Sequence, residues 1–134
     1  MTELLNTIMG GGVAAVSNLR ERSFDLITAT YGDGRSATLH ILRGGAKAPF
    51  SVQAIGTGGQ LRFEIGNVLF YRETMRRFLE MLQTGVQPIA YEDIYETIAL
   101  LVAADQSART GRSVRLAELV PYETPFSSVW RSHG

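Results

Sequence analysis

His40 and His133 are the two imidazoles of a 134-residue chain that contains no cysteine, and this bounds the chemistry open to it. A zinc site needs three or four nitrogen, sulfur or carboxylate ligands at close spacing, and neither H-x-x-x-H nor H-E-x-x-H occurs. His40 has the intrinsic pKa of a general acid or base, but its neighbours Ser36 and Thr38 suit a hydrogen-bonded strand residue better. Glu92, Asp93 and Glu96 fall at the start of a helix, where the dipole favours anions, and capping explains them better than proton transfer does. Ser23, Ser51 and Ser107 lack the G-x-S-x-G setting of an activated serine. The glycine clusters Gly10-Gly11-Gly12 and Gly56-Thr57-Gly58-Gly59 invite a phosphate-cradle reading. The first follows a helix and precedes a strand, the reverse of the dinucleotide order, and the second joins two strands. No catalytic, metal or cofactor-binding residue is therefore assigned.

The elements that position these residues follow from periodicity. Thr2–Met9 reads as a short helix with Leu4, Leu5 and Ile8 on one side, stopped by the glycine run. Val13–Leu19 and Phe24–Tyr31 read as strands, and Gly32-Asp33-Gly34 turns the chain into an antiparallel return over Arg35–Leu42. Phe50–Ile55 and Gln60–Ile65 repeat the hairpin around Thr57-Gly58-Gly59, giving about five strands. From Phe70 onward the period changes. Tyr71, Met75, Phe78, Leu79 and Leu82 form one helical stripe, ended by Gly85 and Pro88. Ile94, Ile98, Leu101 and Val102 form a second, ended by Gly111. Val114 then opens a short sixth strand.

The resulting class is α+β: a mostly antiparallel open sheet of about five to six strands, backed on one face by two main helices, with a short N-terminal helix. Residues 1–120 form one domain, and residues 121–134, with Pro121, Pro125, Tyr122, Phe126 and Trp130, form an extended tail. Alternation along the strands puts Ile27, Ala29, Tyr31, Ala37, Leu39 and Ile41 on one face. Thr28, Thr30, Ser36, Thr38 and His40 lie on the other.

Composition excludes several functions. Thirteen basic and thirteen acidic residues leave no net charge to hold a polyanion, and the basic residues form no run, so nucleic acid is excluded as a partner. No apolar stretch reaches the ~20 residues that cross a bilayer, and no secretory signal opens the chain. A cytoplasmic, non-membrane protein is expected.

The order of helix, Thr84-Gly85-Val86-Gln87-Pro88, the acidic start Glu92-Asp93, Ala103-Ala104, Ser107-Ala108 and Thr110-Gly111-Arg112-Ser113-Val114 resembles the carboxy-terminal domain of the Gfo/Idh/MocA oxidoreductases. Phe78-Leu79-Glu80, the hairpin Tyr31–Leu39 and the stretch Ile55–Leu61 fit the same pattern, which covers most of residues 3–116. The resemblance implies an open sheet that dimerises and walls a substrate pocket against a nucleotide-binding Rossmann domain. NAD or NADP is then implied for the whole protein and none for this chain alone. In that family the activating lysine lies in an E-K-P motif of the nucleotide-binding domain. Lys47, the chain's one lysine, lies in Ala46-Lys47-Ala48-Pro49 without the glutamate and does not inherit that role. The family histidine falls just before a Thr-Glu-Leu-Leu helix, and this chain opens at Met1-Thr2-Glu3-Leu4-Leu5, so both proton-transfer groups are expected outside it. The expected function is a substrate-binding and dimerisation domain, catalytically incomplete alone. Thr28, Thr30, Arg35, Thr38 and His40, chosen for their polar face, are the candidate substrate-facing residues. A standalone binding or oligomerisation module is the alternative, and a small cofactor-free enzyme using His40 ranks last.

Overall fold

The computed structural model describes residues 2–45, 50–66 and 70–119. Lys47, His133 and the tail lie outside that set. The order is α1 (Thr2–Met9), β1 (Val13–Arg20), β2 (Phe24–Tyr31), β3 (Ser36–Leu42), β4 (Phe50–Gly56), β5 (Gly59–Ile65), α2 (Phe70–Thr84), α3 (Tyr91–Thr110) and β6 (Val114–Arg115), followed by a 3-10 turn at Leu116–Glu118. This is the expected α+β class.

Helices α2 and α3 end where their glycines allow it. Gly85 and Gly111 adopt φ of +68° and +69°, the left-handed region that other residues enter at a cost. Each donates its N–H back into the last turn, Gly85 to Met81 and Gly111 to Ser107, both at 2.8 Å.

The strands divide into two sheets. One is four-stranded in the order β3-β2-β1-β6, and the other is the β4–β5 hairpin. All pairings are antiparallel, with Thr28 opposite Thr38 and Leu26 opposite His40 across β2 and β3. Helix α3 lies on the larger sheet, with Leu100, Ala103 and Ala104 packed against Val16, Ile27, Ala29, Leu39 and Val114. Small residues at 99, 103 and 104 bring the helix close, and Leu100 and Val16 are fully buried. Leu5 of α1 completes this core.

The second main helix does not share this packing. Tyr71, Met75, Phe78, Leu79 and Leu82 of α2 are exposed, as are Ile55 and Leu61 of the hairpin. β4 does not extend the sheet beyond β3, and none of these α2 residues joins the core formed on that sheet. Amphipathicity predicts coverage of the sheet by both helices, because it says that a face must be buried but not against what. No helix among the described residues is long and apolar enough to cross a membrane.

Candidate substrate-facing sheet

The face of the four-stranded sheet away from α3 is assembled by register. Its rows run Arg115–Ala15–Thr30–Ser36, then Ser17–Thr28–Thr38, then Leu19–Leu26–His40, and finally Phe24–Leu42. One end is lined with hydroxyls and a guanidinium, and the other with aliphatic and aromatic side chains. Leu19 is 55% exposed and Leu42 44%, so the apolar end is open. The Thr30 hydroxyl donates to the Ala15 carbonyl at 3.3 Å, which ties it to the sheet. His40 meets Phe24 edge-to-face, with ring centroids 5.3 Å apart at 87°.

Four of the five expected residues, Thr28, Thr30, Thr38 and His40, share this face. Arg35 is not brought to it. Its guanidinium stacks on the Tyr31 ring 4.7 Å from the centroid, pairs with Asp33 at 2.7 Å and donates to the Met9 carbonyl. Tyr31 belongs to the helix-facing row, so Arg35 closes the hairpin end of the core beside α1. The hydrogen bonds from Arg35 hold the Asp33 carboxylate below its ordinary pKa. Periodicity did not find Ser17 and Arg115, because only the β1 and β6 pairings put them in these rows. His40 is exposed, with its ring edge against Phe24.

On the helix side a polar cluster fixes α3 to the sheet. The Asn18 N–H donates to Ser107 Oγ at 2.9 Å, and the Asn18 amide donates to the Ala104 carbonyl at 3.2 Å and to Asp25 at 3.3 Å. Asp25, buried, also accepts from Arg20 at 2.8 Å and from Arg43 at 2.6 Å. Burial alone would raise its pKa, but the hydrogen bonds from Arg20, Arg43 and Asn18 outweigh it and hold the carboxyl below its usual range. This cluster is a structural clamp: the Asp25 carboxylate and the Asn18 donors are spent within it, and the Asn18 amide oxygen alone is buried without a partner among the described residues.

The glycine run is likewise occupied. Glu96 of α3 accepts the N–H groups of Gly12 and Val13, both at 2.8 Å, and a Cβ on Gly11 would stand 2.8 Å from its Oε2. A pyrophosphate would need those same N–H groups and would meet a carboxylate. The Gly56–Gly59 turn joins β4 to β5 and leads into no helix. Neither glycine run therefore offers a free cradle for the phosphates of a dinucleotide. Among the described residues there is also no group of three metal-ligating side chains.

No family model and no curated protein matches the chain. Solved structures do. A structure of GenD2 from gentamicin A biosynthesis, in complex with NAD, matches 84% of this chain with a TM-score of 0.72 at 16% identity. An oxidoreductase from Agrobacterium radiobacter, in complex with NAD+, L-tartaric acid and magnesium, matches 89% with a TM-score of 0.64 at 14% identity. The chain covers 44% of the first and 47% of the second, so it spans less than half the length of either. At this identity the likeness is one of fold: the chain has the architecture of one portion of these larger NAD-bound proteins.

Proposed function

We propose that this chain is the carboxy-terminal, substrate-binding and dimerising domain of a Gfo/Idh/MocA-like NAD(P)-dependent oxidoreductase. The observation that carries the reading is the fold match, nearly whole on this side and less than half on the other, to proteins solved with NAD. The nucleotide is then held by a separate Rossmann domain, in keeping with a glycine run already occupied by Glu96. The open sheet face suits a wall. Hydroxyls of Ser17, Thr28, Thr30, Ser36 and Thr38 can exchange hydrogen bonds with a polyol or sugar, and Arg115 adds donors at the same end. The apolar end, where exposed Leu19 and Leu42 flank half-buried Leu26, suits burial against a second copy of the same face, which a two-fold axis makes self-complementary. The chain's own part is to bind, orient and exclude water, and the hydride and proton steps belong to groups outside it.

The test is amide chemical-shift mapping of the chain against a panel of polyols and sugars, with light scattering on the same samples. Shifts concentrated at Ser17, Thr28 and Thr38 in a particle of twice 14.7 kDa are expected. A monomer at millimolar concentration removes the dimer. Shifts absent from this face remove the substrate wall.

A further inference from the structure

The four-stranded sheet has two edges, and they are built differently. At one, β6 is two residues long, and shortness is a usual protection of an edge strand. At the other, β3 runs from Ser36 to Leu42 in unbroken register with β2 and holds no acidic residue, lysine, arginine or proline. Its outward backbone groups follow from the bonds at the two ends of the hairpin. The Arg43 N–H donates to the Ser23 carbonyl and the Tyr31 N–H to that of Arg35, so in the alternation of an antiparallel ladder the odd positions 37, 39 and 41 bond to β2. The N–H and C=O groups of Ser36, Thr38, His40 and Leu42 therefore point away from β2, along an edge that no described strand pairs.

We propose that this edge is the docking line of the chain's own β4–β5 hairpin, which closes on it to join the two sheets as one, in the order β5-β4-β3-β2-β1-β6. The proposal is independent of the oxidoreductase reading. Three observations converge on the hairpin. The first is backbone parity. Gly56 and Gly59 flank a two-residue turn, which makes them a hydrogen-bonded pair, so the even positions of β4 bond to β5 and Ser51, Gln53 and Ile55 turn their backbone groups outward. A ladder between the two free edges must then set even residues of β3 opposite odd residues of β4.

Side chains are the second. Phe50, Val52 and Ala54 lie opposite Ile65, Phe63 and Leu61, giving the hairpin one apolar face, on which Phe50, Leu61 and Phe63 are 49%, 60% and 37% exposed. The parity that satisfies the backbone brings that face into line with Ala37, Leu39 and Ile41 on the α3 side, and sets Ser51 and Gln53 beside Thr38 and His40 on the other. A slip of one residue would fail on both counts. Charge is the third. Like β3, β4 holds no acidic residue, lysine, arginine or proline, whereas Arg62 and Glu64 stand on β5. In the joined sheet β3 and β4 are interior and β5 is the edge, where charge protects against stray pairing. Residues 43–49 are ample to connect strands ~4.8 Å apart.

Amide hydrogen exchange and nuclear Overhauser contacts of the full 134-residue protein test this. The Thr38 and His40 amides should be protected as those of an interior strand are, with side-chain contacts between Leu39 and Val52, both independent of protein concentration. Thr38→Pro removes one outward N–H and no bond to β2, a substitution that edge positions tolerate. It should keep the contacts between β2 and β3 while losing the Leu39–Val52 contacts and the His40 protection. Should that variant fail to fold, Gln53→Pro makes the same cut from the β4 side and should give the same loss. Free exchange at Thr38 and His40 in the unaltered chain overturns the proposal, as does a folded proline variant that keeps the Leu39–Val52 contacts. Protection that disappears on dilution assigns the edge to a second copy and overturns it equally.

Discussion

Glu96 and Val13 are 83 positions apart in sequence, yet the carboxylate of one accepts the N–H of the other at 2.8 Å. The same oxygen holds Gly12 at 2.8 Å, so one α3 side chain satisfies two donors at the entry to β1. This clamp joins the second turn of α3 to the first residue of the sheet.

Glu96→Ala leaves the N–H of buried Val13 without a partner and should cost about 1–3 kcal/mol in chemical denaturation. Gly11→Ala drives a methyl toward Glu96 Oε2 and should destabilise in the same sense. The two changes act on one contact, so the double variant should lose less than the sum. Strict additivity would mean that Gly11 is required for some other reason.

Asp25 sets an acid limit on stability. Its pKa is depressed in the folded chain, so below the ordinary carboxyl value of 3.8 the unfolded state takes up a proton before the native state does. The contribution is complete above that value and is lost as pH falls through the lower folded pKa. Asp25→Asn should lower stability at neutral pH and flatten the decline below pH 4. An unchanged acid slope in that variant would assign the decline to Asp33 or Asp105, which are also depressed.

Tyr31→Phe should be neutral or mildly stabilising, by up to about 1 kcal/mol, because the Tyr31 hydroxyl is buried with no hydrogen-bond partner among the described residues. The ring that carries Arg35 is retained. Burial and the negative Glu96 raise the Tyr31 pKa above its ordinary value of 10, so the unfolded chain ionises first in alkali. Stability present below pH 10 should decline above it, and less steeply in the phenylalanine variant. Thermal melts across pH 8–11 decide this.

Thr28→Arg puts a cation at the middle of the open sheet face, between Ser17 and Thr38. In a two-fold dimer through that face, the two arginines confront each other. The variant should sediment as a monomer with an unchanged melting profile at low concentration, whereas Arg62→Glu on the separate hairpin should leave association intact. Equal behaviour of the two variants would move the interface elsewhere.

Local chemistry in the sequence determined a large share of the fold. The 3.6-residue period and the two helix-ending glycines marked α2 and α3, and strand alternation separated Ile27, Ala29 and Leu39 from Thr28, Thr38 and His40. These are properties of neighbours, fixed by backbone geometry within a few residues. Tertiary structure decided what each face meets. It gave the sheet to α3 and left α2 and the β4–β5 hairpin outside the core. It turned Arg35 from a candidate for the open face into the cover of Tyr31, and added Ser17 and Arg115 to the hydroxyl rows. It also made Glu96 the occupant of a glycine run that composition alone offers to phosphate. None of these follows from spacing, because each depends on segments tens of residues apart being brought together by burial of an apolar face that has more than one available partner.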